Sequence, residues 1–220
     1  MPIDRGACST TQKVAINPSG INCAFFGNDC ALLTPVEGED RVGLRYINPA
    51  AKWTEYSKIM IDPVTFWGAD STQISASDQQ MLVNFFNQQL NAQLGQKFQI
   101  VTQPGPGVMK LDVALIEAEA ATPVMRSISM IVPQAHMLSN LKYLATGSMP
   151  FIGAAEGAAR ITDSVSGKVL VLGADKRIGG GSITIGFQWE WGDAENAINH
   201  WAEMLATRLS DWTSGLSVPH

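Results

Sequence analysis

The feature that most constrains the fold is a pair of long β-prone runs separated by a four-residue connection. Residues 158–163 and 168–177 are rich in Ala, Val, Leu and Ile, and they flank Ser164-Val165-Ser166-Gly167. Two such runs joined by a short polar segment that ends in Gly predict an antiparallel hairpin. Any fold of this chain must therefore contain antiparallel pairing in its C-terminal half.

Three further strands are predicted before this hairpin. Residues 58–64 form a short apolar run, and Pro63 stops it because proline cannot donate to a strand ladder. Residues 98–102 and 108–118 follow, separated by Pro104-Gly105-Pro106-Gly107, and apolar residues alternate along the second run. Because the Gly-rich segment lies between two strands and not before a helix, it indicates a rigid turn and not a phosphate-binding loop.

Three helices are predicted from capping residues and from apolar residues at helical spacing. The first begins at a capping box formed by Ser77 and Gln80 and ends at Gly95. The other two cover residues 133–147 and 193–212. The predicted order is β-α-β-β-α-β-β-α.

This order predicts an α/β fold of the α+β type. Its centre is a mixed, mostly antiparallel sheet of about five strands that is covered by helices. A single domain is expected over residues 51–215, with a tail at 216–220. Residues 1–50 are repeatedly interrupted by Pro and Gly and are predicted to be a tether or linker. With 220 residues, 45% of them hydrophobic, the chain can bury a core without the help of a metal.

The charge balance excludes one class of partner. The net charge is −5 and the 15 basic residues are scattered along the chain. Binding to phosphate backbones requires clustered Lys and Arg, so nucleic acid is not an expected partner. No apolar run approaches the length of a spanning helix, so contact with a membrane is expected only through a lipid anchor.

The usual catalytic and cofactor motifs are absent from the sequence. There is no nucleophile elbow, zinc-protease helix motif, phosphate loop or dinucleotide fingerprint. No metal and no cofactor is therefore predicted. His200 is expected to be solvated among polar residues of the last helix. His136 could act as a general base with Asp112, Asp163 or Asp175, although a lone histidine is more often structural.

Gly6, Ala7 and Cys8 have the form of a bacterial lipoprotein cleavage site, in which small residues precede a cysteine that receives a diacylglyceryl group. Residues 1–5 lack the apolar stretch of a signal peptide, and Arg5 stands where such a site normally has Leu. Either the native start lies further upstream, or the match is accidental. The first reading makes Cys8 the site of lipid attachment.

Cys23 and Cys30 remain if Cys8 carries lipid. They could close a short disulfide loop in an oxidising compartment. The alternative is that all three thiols are unrelated. Their spacing matches neither a zinc site nor a redox pair.

One surface segment has the composition of an anion-binding loop. Lys176 and Arg177 precede Gly179, Gly180 and Gly181, whose backbone N–H groups could form a nest beside the two cations. A flexible connection between strands is the simpler interpretation. Together with His136, these residues form the predicted ligand or partner surface.

Several ordered motifs resemble one family, catalogued as domain of unknown function 3313, from about Gly43 to the last helix. They are Tyr46-Ile47-Asn48-Pro49, Ile61-Asp62-Pro63-Val64, Pro104-Gly105-Pro106-Gly107-Val108, Val132-Pro133-Gln134-Ala135 and Trp191-Gly192-Asp193. The resemblance implies an exported Gram-negative lipoprotein, which supports the interpretation of Cys8. It implies no activity, catalytic residue or cofactor. His136 stands where the family pattern leads us to expect a basic residue.

The sequence therefore favours a lipoprotein without catalytic activity that faces the periplasm, with the outer membrane as the expected place of its anchor. It would bind a cell-envelope protein or a peptidoglycan component. An envelope hydrolase that uses His136 with a nearby carboxylate is the alternative. A cytosolic binding protein is a third interpretation.

Overall fold

A computed structural model describes residues 11–16, 23–68, 74–119, 154–179 and 191–217. In this part of the chain, one sheet of nine strands is flanked by two α-helices. The α+β class and the mostly antiparallel sheet are confirmed, whereas the predicted number of about five strands is wrong. The bounds are β1 (Thr11–Val14), β2 (Thr34–Pro35), β3 (Leu44–Ile47), β4 (Lys58–Ile61), β5 (Thr65–Phe66), α1 (Ala76–Leu94), β6 (Gln99–Ile100), β7 (Val108–Glu119), β8 (Ala154–Asp163), β9 (Val169–Gly179) and α2 (Gly192–Thr213).

The strand order is β2-β3-β9-β8-β7-β4-β6, with β1 beside β9 and β5 beside β7. Strand β4 runs parallel to β6 and β7, and β5 runs parallel to β7. The other pairs are antiparallel. The three longest strands, β7, β8 and β9, are adjacent and form the centre of the sheet.

The predicted hairpin is the β8–β9 pair, which runs in register from Ala154 opposite Ile178 to Ile161 opposite Val171 and then shifts, so that Thr162 lies opposite Val169. Its turn is fixed by Asp163, whose Oδ1 accepts hydrogen bonds from the backbone N–H and the hydroxyl of Ser166, both at 2.7 Å. Gly167 has a φ of +69°, which residues with a side chain rarely adopt. Turn chemistry that is visible in the sequence thus determines this element.

The segment before residue 50 differs from the prediction of a linker. Three of its stretches are strands of the sheet, namely β1, β2 and β3. They escaped sequence reasoning because each has only two to four residues and shows no periodicity of its own. Strand β3 pairs with β9, far along the chain, so its conformation is stabilised by a partner that local sequence cannot reveal.

Helix α1 was predicted correctly except at its start. The N-cap is Ser75 and not Ser77, since the Ser75 Oγ accepts a hydrogen bond of 3.2 Å from the Asp78 backbone N–H. The Gln80 side chain instead donates to the side chain of Asn84. The predicted helix at 133–147 lies outside the described residues.

Side chains alternate between the two faces of the sheet along each strand, and both faces carry buried residues. The face covered by α1 and α2 is called the helix face here, and it carries residues such as Leu111, Val113 and Ile161. The opposite face, called the loop face, is covered by residues 23–33. The candidate site lies on the helix face.

Candidate ligand-binding cavity

A cavity of about 100 Å³ lies between the helix face of the sheet and the two helices. Its floor is formed by strands β7, β8 and β9, and its roof by α1 and α2. Most of the lining is apolar, namely Val113, Gly157, Ala159, Ile161, Val171 and Gly173 from the sheet, and Phe86, Leu90, Trp201, Met204, Leu205 and Trp212 from the helices. Among the lining residues, Asp40 is exposed and Arg41, Arg45 and Arg208 are half-buried, whereas Val113 is buried, and the more exposed side is called the mouth here.

The cavity exists because small residues occupy the central strands beneath large helix side chains. A Cβ atom on Gly157 would lie only 3.0 Å from Cζ3 of Trp201, so the indole ring takes the space of a strand side chain. The Trp201 ring stacks on Phe86 of α1, with ring centroids 5.9 Å apart. Gly173 is less crowded, since a Cβ there would meet Val42 at 3.7 Å. A methyl group at Gly173 would therefore fit in ordinary contact with Val42.

One end of the cavity is closed by a buried ion pair. Asp175 and Arg177 are 2% and 1% exposed, and Nε of Arg177 donates to Oδ2 of Asp175 at 2.8 Å. The same oxygen accepts from Nε1 of Trp201 at 2.9 Å, and Oδ1 accepts from the backbone N–H of Gly43 at 3.0 Å. Burial raises the pKa of Asp175, whereas the Arg177 charge and these hydrogen bonds oppose the rise.

Arg177 also links three separate parts of the chain. One terminal nitrogen donates to the Glu39 carbonyl at 2.6 Å, and the other donates to Oγ1 of Thr11 in β1 at 3.4 Å. The guanidinium therefore joins β1 and the loop around residue 39 to strand β9. Because Arg177 is buried and each of its three guanidinium nitrogens donates a hydrogen bond, it has a structural role here.

Arg177 was predicted to lie on an anion-binding surface. This prediction is wrong, because the Arg177 side chain is buried. Lys176 is half-buried and lies opposite Glu156 of β8, and Gly179 is a strand residue opposite Thr11. The prediction failed because β9 continues through these residues as a paired strand instead of opening into a loop. Gly180, Gly181 and His136 lie outside the described residues.

Positive charge is concentrated instead at the mouth of the cavity. Arg41 lies in the loop before β3, Arg45 on β3 and Arg208 on α2, and all three are half-buried and line the cavity. Burial, followed by the charges of Arg41 and Arg208, lowers the pKa of Arg45. Arg45 therefore lies within electrostatic range of both Arg41 and Arg208. Sequence reasoning missed this cluster because its members come from distant parts of the chain.

His200 on α2 differs from its prediction in both the environment of its side chain and its pKa. Its Nε2 is buried without a hydrogen-bond partner among the described residues, so the prediction of a solvated side chain is wrong. Burial, and then the charge of Arg177, lowers its pKa to about 4, although Asp40 and Glu39 act in the opposite direction. His200 is therefore neutral at physiological pH.

The carboxylates that could have assisted His136 are occupied elsewhere. Asp112 pairs with Lys110 at 3.1 Å, and Asp163 accepts a hydrogen bond of 3.1 Å from the hydroxyl of Tyr56. Asp175 is held by Arg177. Among the described residues, no group of three His, Cys, Asp or Glu side chains could hold a metal ion.

The structure describes two of the three cysteines. Cys23 and Cys30 form a disulfide, with Cα atoms 5.5 Å apart, and the loop that it closes lies on the loop face. Cys8 lies outside the described residues, so its lipid attachment stays a prediction. Neither described helix has the length and apolarity needed to span a bilayer.

Comparison with known proteins gives one family match and several distant structural likenesses. Residues 25–205 match the model of a family described as protein of unknown function (DUF3313), and no curated protein matches. The PelC dodecamer from Paraburkholderia phytofirmans is 12% identical over 74% of this chain and 94% of its own, with a TM-score of 0.40. A hypothetical protein from Chlamydia trachomatis is 10% identical over 72% and 99%, with a TM-score of 0.37. A predicted lipoprotein from Caulobacter crescentus is 14% identical over 71% and 94%, with a TM-score of 0.34.

Proposed function

This chain belongs to the family described as protein of unknown function (DUF3313), and we propose that it is a binding module of the bacterial cell envelope without catalytic activity. The observation that carries the proposal is the apolar cavity between the sheet and the helices. Ligand sites are typically concave and apolar, with a few polar groups that orient the ligand. The proposed ligand is a molecule with an apolar chain that enters this cavity.

The size and chemistry of the cavity support this choice. At about 100 Å³ it is of the same order as engineered apolar cavities that stay dry and bind small apolar molecules. The aromatic rings of Phe86 and Trp201 and the side chain of Leu90 offer dispersion contacts to a slim aliphatic chain. The polar atoms of Asp175 are already satisfied, so they do not require a polar ligand.

A binding titration with matched variants of Gly173 tests the proposal. A fluorescent apolar probe, N-phenyl-1-naphthylamine, is titrated into the protein and then displaced with a neutral monoacylglycerol. Gly173→Leu should fill the cavity and weaken binding by roughly tenfold or more, which corresponds to a loss of about 1.4 kcal/mol. Gly173→Ala is the control, since its methyl group makes an ordinary contact with Val42 and leaves most of the space open.

Thermal unfolding of both variants shows whether the fold is retained. Equal binding by the wild type and Gly173→Leu would mean that the probe sits elsewhere, and it would refute the cavity as the binding site. An absence of probe binding by the wild type would refute the proposed function itself.

The proposed location is the periplasmic side of a membrane, with Cys8 as the lipid-bearing residue and an envelope protein or peptidoglycan component as partner. The Cys23–Cys30 disulfide supports export, because disulfides persist in oxidising compartments. Intact-mass analysis of the native product should find an acylated Cys8 and a mass two hydrogens below that of the reduced chain. A native product with three free thiols in the cytosol would contradict this location.

A further inference from the structure

We infer that strand β1 completes the ligand site: the cavity binds its ligand tightly only while β1 is docked on β9, and a bound ligand in turn holds β1 in place. This regulation rests on the proposed function of the same cavity. Two sets of contacts support it, because β1 is joined both to the Trp201 wall of the cavity and to the loop that precedes β3.

The first set of contacts is a chain of buried hydrogen bonds from β1 to the indole ring of Trp201, which lines the cavity. Oγ1 of Thr11 accepts from Arg177 at 3.4 Å, and Nε of Arg177 donates to Oδ2 of Asp175 at 2.8 Å. The same oxygen accepts from Nε1 of Trp201 at 2.9 Å. Thr11 and Arg177 are 1% exposed and Asp175 is 2% exposed. Displacement of β1 would therefore disturb the buried groups that orient the Trp201 ring.

The second set of contacts joins β1 to the loop before β3. Nζ of Lys13 donates to the carbonyls of Val36 at 2.6 Å and Gly38 at 3.0 Å. The backbone N–H of Lys13 donates to Oε2 of Glu39 at 3.2 Å. The three residues that follow, 40–42, line the cavity. Strand β1 therefore holds the loop directly before the residues that form part of the mouth.

Strand β1 also has the properties of an element that can detach. It has four residues, of which Gln12 is exposed. Among the described residues, Val14 belongs to a cluster of three buried apolar side chains, with Ala154 and Ile178. A short strand with few buried apolar contacts opens locally at a lower free energy than the core. Docked and undocked β1 are thus two states between which a ligand can discriminate.

Coupling of this kind is reciprocal. If the cavity binds a ligand more tightly when β1 is docked, the ligand must lower the population of the undocked state by the same factor. At a ligand concentration ten times the Kd, an undocked state without affinity would become roughly tenfold less populated. A ligand that binds both states equally would shift neither.

Hydrogen exchange of the wild-type protein, with and without N-phenyl-1-naphthylamine, is the first test. The Lys13 N–H points away from β9, so alternation along the strand directs the N–H groups of Gln12 and Val14 towards β9. At ten times the Kd, exchange of these two amides should slow by roughly fivefold or more. Val101 is the internal control, because its N–H donates to the Ile59 carbonyl at 2.9 Å and it does not line the cavity.

A matched pair of variants at Gln12 is the second test. Gln12→Pro removes the N–H that faces β9 and weakens the docking of β1, whereas Gln12→Ala keeps this group. Since Gln12 is exposed, neither change alters a buried side chain. Gln12→Pro should bind the probe roughly fivefold or more weakly than the wild type, and Gln12→Ala should bind it within about twofold. Thermal unfolding shows whether both variants are folded at the assay temperature.

If Gln12→Pro does not fold, Lys13→Met takes its place. This change removes the two contacts of Nζ with the loop and keeps an apolar side chain of similar length. It should weaken probe binding by roughly threefold or more, because the loop before the mouth is then held less firmly.

Two outcomes overturn the inference while the proposed function stands. In the first, the probe binds, but it slows exchange at Gln12 and Val14 no more than at Val101. In the second, the folded β1 variant binds the probe as tightly as Gln12→Ala. If the wild type binds no probe at all, the proposed function itself fails, and the coupling fails with it.

Discussion

The two faces of the sheet are built from alternate residues of the same strands, yet they are packed differently. On the loop face, Phe26 is 1% exposed and packs against Leu44 and Leu172, which are both fully buried. On the helix face, the next residue after Leu172 is Gly173, which has no side chain and lines the cavity. One face is thus closed by the chain itself, whereas the other contains a cavity.

Each face also contains a buried or half-buried arginine with a different role. Arg160 on the loop face donates to the carbonyl of Phe25 at 3.0 Å and also to that of Phe26, so it fastens the disulfide loop to the sheet. Arg177 on the helix face compensates the charge of the buried Asp175. The loop face is held mainly by apolar packing, and the helix face depends at one end on an ion pair.

The largest predicted effect comes from breaking that ion pair. Arg177→Met should lower the free energy of unfolding by about 3–5 kcal/mol, because it leaves the Asp175 carboxylate buried without its counter-charge. The loss is measured by urea unfolding at pH 7. Adding Asp175→Asn to Arg177→Met should recover part of the loss, since the uncompensated charge is then removed.

The same variant has a defined dependence on pH. Without Arg177, the folded-state pKa of Asp175 lies further above its unfolded value, so the folded state takes up a proton as the pH falls. The destabilisation of Arg177→Met relative to the wild type should therefore shrink on acidification. A constant difference between pH 7 and pH 5 would show that lost packing, and not the buried charge, is responsible.

A smaller loss is predicted on the loop face. Phe26→Ala should lower the free energy of unfolding by about 3 kcal/mol, because it empties a fully packed position. Phe25→Ala is the matched control in the same loop, and its half-buried ring should account for only about 1 kcal/mol. Both are compared with the wild type by urea unfolding.

Binding of the naphthylamine probe by a loop-face variant tests whether the two faces are independent. Phe26→Ala should bind the naphthylamine probe as the wild type does, since Phe26 does not line the cavity. Weaker binding by a variant that is still folded at the assay temperature would show that the two faces are coupled, and that the cavity depends on the packing of the disulfide loop.

Much of the fold was predictable because its signals are local. The β8–β9 hairpin follows from Ser164-Val165-Ser166-Gly167 between two β-prone runs, and α1 follows from apolar spacing and Gly95. The family match over residues 25–205 confirms the family inferred from ordered motifs. The start of α1 was misplaced by two residues because Ser75 and Ser77 are both good caps, and only the backbone geometry distinguishes them.

The candidate site was not predictable, because the residues that form it are far apart in the chain. Glycines such as Gly157 and Gly173 look unremarkable in sequence, and the lining of the cavity appears only when a distant helix places Trp201 over Gly157. Arg41, Arg45 and Arg208 become neighbours only because β3 pairs with β9 and α2 packs over that pair.

The sequence by itself determined the family, the class of fold and the central elements, since these depend on periodicity, caps and turns within short stretches of chain. Tertiary structure alone decided that the segment before residue 50 joins the sheet, that Arg177 is buried, and that three arginines surround an apolar cavity. The physical reason is that these features arise from contacts between residues far apart in the chain, which strand order and register create.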